Sequence, residues 1–278
     1  AIMATRTLES RRDRIMTMLI TPFMSCSARL PVYILLVSAF FPVNQGLILL
    51  SVYLIGILLA IGTSFLLKKT LFAKSSDPFV MELPPYRMPT MRNTTIHMWG
   101  KAGQYLKKMG TIILFASILI WALGYFPLNR TTMADETEHL ENSYIGQIGK
   151  AIEPVIRPLG FDWKMSVSLL TGMAAKEVVV STLSVLYTGE SDDSQVLTER
   201  LKQDKNADGE PVFTPLIALS FMLFVLIYFP CIATISAIVN ESGSWKWGIF
   251  VIFYTCVLAW IVSCVVYQTG HLFMNLFS

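Results

Sequence analysis

A chain of 278 residues that is 54% hydrophobic and only 15% charged, with a mean hydropathy of +0.56, is too apolar to fold as one soluble domain of that size. Its formal charge of +3 is small and its basic residues flank apolar runs, which excludes a nucleic-acid groove. The four cysteines, Cys26, Cys231, Cys256 and Cys264, all fall inside apolar runs, so they read as free thiols rather than a secreted disulfide framework. The expected fold class is therefore all-α, a polytopic transmembrane helical bundle.

Six apolar runs predict spans, at 15–41, 47–67, 110–126, 165–187, 214–239 and 247–270. About 20 residues cross a hydrocarbon core ~30 Å thick, so the first run must tilt or break and the third is short. Lys and Arg concentrate before the first run, between the second and third, and between the fourth and fifth, which predicts both ends of the chain on the cytoplasmic side. The corresponding organisation is a first gate region with two spans at 1–67 and a cytoplasmic loop with an amphipathic segment at 68–109. A span with a periplasmic loop follows at 110–163, then a second gate region with three spans at 164–278.

The first run contains "TPFMSCSARLPVY". Pro22 and Pro31 each lack an N–H and should release the carbonyls of Met18 and Ser27, placing free oxygens beside Cys26 at membrane depth. Broken backbone there is tolerated only when it is buried in protein or lines a wet cavity. Arg29 would cost about 2.5–3.5 kcal/mol if unpaired in the membrane, so it needs a partner. The bland alternative is a packing helix kinked by proline, with a structurally paired arginine.

The run at 47–67 is uninterrupted. After it, Pro78, Pro84, Pro85 and Pro89 predict an extended surface loop, and 91–108 an amphipathic helix lying on the membrane before the third span turns in. The loop beyond that span opens with Asp135, Glu136, Glu138, His139 and Glu141, read as a solvated acidic stretch. It should continue as a short helix ended by Pro158 and Gly160.

The fourth run centres on "TGMAAKEVVVS". Lys176 and Glu177 are neighbours, about 100° apart on a helix, so each should reach a different element. Glu177 suits an oxygen ligand or a counter-charge for Arg29. Lys176 suits a clamp on helix ends or carbonyls, or the two form an ionic lock between spans. The polar stretch at 189–211 reads as a connection. In the fifth run, "IYFPCIATIS" repeats the proline-and-cysteine device, since Pro230 should release the Leu226 carbonyl beside Cys231. Cys256 and Cys264 lie in an uninterrupted run and read as small buried hydrophobes.

Two thiolates with oxygen ligands nearby suit a borderline divalent ion such as Fe(II) better than an alkali ion or Mg(II), and their binding should weaken as pH falls. A faint internal echo relates Met3-Ala4-Thr5-Arg6 and Cys26 to Met173-Ala174-Ala175-Lys176 and Cys231. On a six-span count the two copies run parallel. No nucleotide-binding, zinc-protease or nucleophile-elbow motif is present, so no enzyme is expected.

"AIMATRTLESRRDRIMTMLITPFMSCSARLPVY", "GFDWKMSVSLLTGMAAKEVVVSTLSVLY", "FPCIAT" and "ELPPYRMP" together resemble the membrane portion of the bacterial ferrous iron transporter B family. The resemblance implies an inner-membrane permease that carries Fe(II) through a gate with Cys26 and Cys231 as its cysteines. It implies no tightly bound cofactor, and GTP acting only through an N-terminal G domain that lies, with the first membrane helices, outside this sequence. Expected partners are lipid, that G domain, small accessory Feo proteins and a second copy of the chain. The rival readings are a nucleoside-type carrier with an aromatic or amide-lined pocket, and a structural bundle that transports nothing.

Overall fold

The computed structural model describes residues 2–8, 10–71, 90–126, 143–173, 175–188, 194–203 and 211–277. They form α1 (Arg11–Ile20), α2 (Leu30–Phe40), α3 (Gln45–Thr70), α4 (Met91–Tyr125), α5 (Tyr144–Ile156), α6 (Trp163–Thr171), α7 (Val178–Thr188), α8 (Ser194–Gln203), α9 (Pro215–Ile227), α10 (Ile232–Ser242) and α11 (Trp245–Phe277). No strand occurs among the described residues. Four segments are long and apolar enough to cross a membrane: Arg11–Phe40, Gln45–Thr70, Pro215–Ser242 and Trp245–Met274.

Two of these four are broken at mid-length, and each lies antiparallel to an unbroken partner. In the first pair, α2 meets the start of α3 through the edge-to-face rings of Tyr33 and Tyr53. At the other end, Ile15 and Leu19 of α1 cluster with Leu67 near the end of α3. In the second pair, Gly270 of α11 packs on Leu216 at the start of α9, and Gly248 on Val239 of α10. Between them, Ser220 donates to the Ser263 carbonyl at 3.2 Å and Ser263 returns a bond to the Ser220 carbonyl at 3.1 Å. Small polar residues bonding across helices in this way hold membrane helices together where water supplies no hydrophobic drive.

The two pairs run in opposite senses. The end at which α1 begins, here the near face, also holds the end of α10 and the start of α11. Ile15, Met18 and Leu19 share one cluster with Ile238 and Val251, and Arg6 bonds Glu241 at 2.6 Å. At the far face, Phe40 at the end of α2 stacks on Phe213 just before α9, with centroids 5.9 Å apart. The expectation of parallel copies is thus corrected: the broken helices cross antiparallel, and their breaks fall at the same depth.

The run at 165–187 is not a span. It folds into α6 and α7, a hairpin that enters from the far face and returns to it. At its mouth Tyr187 donates to the Asp162 carboxylate at 3.0 Å, and farther in the Thr171 and Thr182 hydroxyls lie 2.9 Å apart. Asp162 also caps α6 by accepting from the Met165 N–H at 2.8 Å. With a hairpin in place of a crossing, the start of α1 and the end of α11 lie at opposite faces, which overturns the expectation that both ends share a side. The corner holding Lys246 moves to the near face accordingly.

Three local expectations also change. The polar stretch at 189–211 contains α8, whose Leu197 and Leu201 are fully buried against α2 and α7 at the far face. Helix α4 runs from Met91 to Tyr125 without the turn expected between a surface helix and a span. The short helix before Pro158 is present as α5, and Gly160 follows it at φ 80°. The proline-rich loop at 78–89 and the acidic stretch at 135–141 lie outside the described residues. A cysteine introduced near Ser10 and another near the end of α11 should label from opposite sides of sealed vesicles with an impermeant maleimide; labelling from one side would contradict the hairpin.

Candidate functional site

Each break is a short stretch of non-helical backbone between two half-helices. After α1, the chain forms a 3-10 turn at Thr21–Phe23, passes through extended Met24 and Cys26, and re-enters helix through Ser27–Arg29. Pro22 and Pro31 both occupy the first turn of the helical piece they open, where a missing N–H costs little. The Ser27 carbonyl is therefore not released, because it accepts from the Leu30 N–H. After α9, Tyr228 and Cys231 adopt extended ψ values and α10 starts at Ile232. Cys26 and Cys231 thus hold matching N-cap positions, each directly before the helical stretch that follows its break and neither making a side-chain cap bond. A helix N-terminus favours negative charge on a capping group.

The two breaks meet the tip of the α6–α7 hairpin around a cavity of about 570 Å³. Cys26, Cys231 and Glu177 all line it, together with Lys176, Arg29 and the hydroxyl residues Thr21, Ser25 and Thr234. Ala175, from the second echoing segment, and Ile2, just before the first, also reach it. Cys26 and Glu177 are exposed and Cys231 is half-buried, with its Sγ 3.1 Å from the Thr234 hydroxyl. The Thr234 contact was not anticipated; its spacing of three residues after Cys231 was the available signal. Among the described residues no group of three or more His, Cys, Asp or Glu side chains is gathered closely enough to hold a metal ion. The cysteines and Glu177 share a cavity, therefore, without forming a closed coordination shell.

The two basic residues are buried, each about 3% exposed, and each bonds carbonyl oxygen and no described carboxylate. Arg29 donates through one terminal nitrogen to the Pro22 carbonyl at 2.9 Å and through the other to the Met24 carbonyl at 3.1 Å. Its partner is the broken backbone itself, and Glu177 is not its counter-charge. Lys176 donates to the Val225 carbonyl at 3.3 Å, near the end of α9, and its ammonium lies 4.5 Å from the centre of the Tyr228 ring. No salt bridge joins Lys176 to a described carboxylate, so of an ionic lock and a clamp on carbonyls it is the carbonyl contact that the side chain makes.

Further contacts fasten the hairpin tip to the second break. Tyr228 donates to the Leu169 carbonyl at 3.4 Å, and the Ile232 N–H, an unsatisfied donor at the start of α10, reaches the Met173 carbonyl at 3.4 Å. At the first break Tyr254 of α11 donates to the Leu19 carbonyl. Cys256 and Cys264 do not line the cavity, and Cys264 packs against the apolar core.

The description "Gate: Nucleoside recognition" matches residues 106–245, half of the chain, and "Ferrous iron transport protein B C terminus" matches 49–101. The chain belongs to the Gate family, and over its whole length it is similar to part of the ferrous iron transporter B proteins. Among its relatives are an Fe(2+) transport protein A/Fe(2+) transporter FeoB fusion protein of Porphyromonas gingivalis, 56% identical over 98% of this chain and 36% of the relative. The Fe(2+) transporter FeoB of Campylobacter jejuni is 42% identical over 99% of this chain and 45% of its own length. That of Methanocaldococcus jannaschii is 41% identical over 98% and 39%. The chain spans roughly two-fifths of the curated relatives it matches, and no solved structure matches it.

A methyl group on Gly172 would clash with Val179 Cγ2 and the Tyr228 hydroxyl, whereas one on Gly62 meets nothing within 4 Å. Gly172→Ala should cost about 1–3 kcal/mol, read as a lower thermal transition of the detergent-solubilised protein, and Gly62→Ala should leave that transition unchanged. A small charged methanethiosulfonate should modify Cys26 faster than Cys264; equal rates would argue against an open cavity at the breaks.

Proposed function

We propose that the chain forms the ion path of a ferrous iron importer in the bacterial inner membrane, with Fe(II) passing between the two helix breaks. The observation that carries the proposal is the convergence of Cys26 and Cys231, from breaks in oppositely directed helices, on one cavity with Glu177. The sulfurs supply soft ligands and Glu177 a carboxylate, a set that suits a borderline divalent cation better than Mg(II) or Ca(II). Thiolate ligands must lose their protons, so Fe(II) binding weakens as pH falls. Relatives named as Fe(2+) transporters support the same reading.

In this reading the segment translocates and does not catalyse, and GTP acts on it through a separate G domain. The near face, with Arg11, Arg12, Arg14, Lys68 and Lys69, lies in the cytoplasm. Breaks at a shared depth between inverted halves are where transporters place ion sites, and rocking of one half against the other would open each face in turn. The described residues that line the cavity include no aromatic ring and no side-chain amide, which favours the metal reading over a nucleoside path.

In cells expressing the whole encoded protein, Cys26→Ser with Cys231→Ser should lower Fe(II) uptake at least tenfold, with the variant still present in the membrane. Uptake equal to that of the parent would refute a thiol-lined path. Glu177→Gln should raise the Fe(II) concentration for half-maximal uptake by several-fold.

A further inference from the structure

We propose that Arg29 and Lys176 set the cation preference of the cavity, by occupying with tethered cations the backbone oxygens that a hard ion would need. The proposal rests on the reading of Cys26 and Cys231 as ion-facing ligands. Unwound backbone in a transporter ordinarily offers its carbonyl oxygens to Na⁺ or a similar ion. Here three carbonyl oxygens at or beside the breaks are bonded to basic side chains. At the first break the guanidinium of Arg29 bridges the Pro22 and Met24 carbonyls at 2.9 and 3.1 Å, a permanently charged group standing where an alkali or alkaline-earth ion would sit. In the last turn of α1, just before that break, Thr21 bonds the Thr17 carbonyl at 2.6 Å and Tyr254 bonds that of Leu19.

At the second break Lys176 performs the same service for Val225 at 3.3 Å, although it comes from the hairpin tip, 49 residues away in sequence. Both side chains line the cavity and both are about 3% exposed, so each is committed to its oxygen partners and not to solvent. Neither has a carboxylate partner among the described residues, so the arrangement is an ion in an oxygen cradle and not a salt bridge. The described lining also offers sulfur from Cys26 and Cys231, the Glu177 carboxylate and the hydroxyls of Thr21, Ser25 and Thr234. Engaging these three carbonyls weakens the hard-ligand alternative, and the sulfurs tilt the remaining set toward softer divalent ions.

The test follows alkylation of Cys26 and Cys231 by N-ethylmaleimide in the purified whole protein, under anaerobic conditions, with Fe(II), Mg(II) or Ca(II) added alone. In the parent, Fe(II) should slow alkylation at least tenfold at concentrations where Mg(II) and Ca(II) have no effect. Arg29→Met releases two carbonyls, so Mg(II) or Ca(II) should then protect at concentrations at least tenfold lower than in the parent. Arg29→Lys, which keeps a donor cation, should retain the parental order. Lys176→Met releases the Val225 oxygen at the other break and carries the same test if Arg29→Met does not fold. Protection by Fe(II) with an unchanged metal order in the Met variants would overturn the proposal alone. If Fe(II) fails to protect either cysteine in the parent, the thiol reading falls and takes this proposal with it.

Discussion

A backbone that leaves helical geometry inside a membrane exposes N–H and C=O groups that no water is there to satisfy, and two such departures occur here at one depth. The structure depends on how they are answered. Arg29 binds two carbonyls of its own break, Lys176 reaches across from the hairpin to a third, and the Met173 carbonyl accepts the first free N–H of α10. These bonds allow the breaks to persist as open extended segments, in place of a continuous helix that would bury the cysteines in a helical wall. The cavity lies where these bonds hold the breaks open, with Arg29 Nε left as a buried donor beside it.

The cost of this solution is electrostatic. Two basic side chains are buried in the middle of an apolar bundle, each held by neutral oxygens and, for Lys176, by the face of Tyr228. Such groups are expensive at this depth even when bonded, and they occur where they serve a pathway. Positive charge beside the cavity also favours anionic ligands in it, which agrees with a role for the sulfurs and Glu177. The hairpin therefore has two tasks: its tip closes one wall of the cavity, and its lysine stabilises the break opposite.

Much of the site was legible as chemistry and little of it as geometry. Proline beside cysteine marks both breaks, because proline cannot sustain a helix interior, and an arginine in an apolar run announces a need for partners. Lys176 bonds one carbonyl, that of Val225, from among the partners its sequence position left open. The expected release of the Ser27 carbonyl failed because Pro31 opens a helix instead of interrupting one. The expected pairing of Arg29 with Glu177 failed because carbonyls five and seven residues back lie within reach of the guanidinium in a loop that residue spacing alone does not describe.

The sequence by itself determined that this is an all-helical membrane protein with two interrupted helices, since apolar run lengths and proline positions are local properties. It also named the residues with chemistry to offer. Only the tertiary structure decided that 165–187 turns back on itself. Twenty-odd apolar residues satisfy the length of a span and of a hairpin equally, and the choice rests on contacts such as Asp162 with Tyr187, closed between residues 25 apart. From that one turn follow the opposed direction of the two halves, the opposite placement of the ends, and the meeting of Cys26 with Cys231. Side-chain identities are written along the chain; which of them face one another depends on how the chain crosses the membrane.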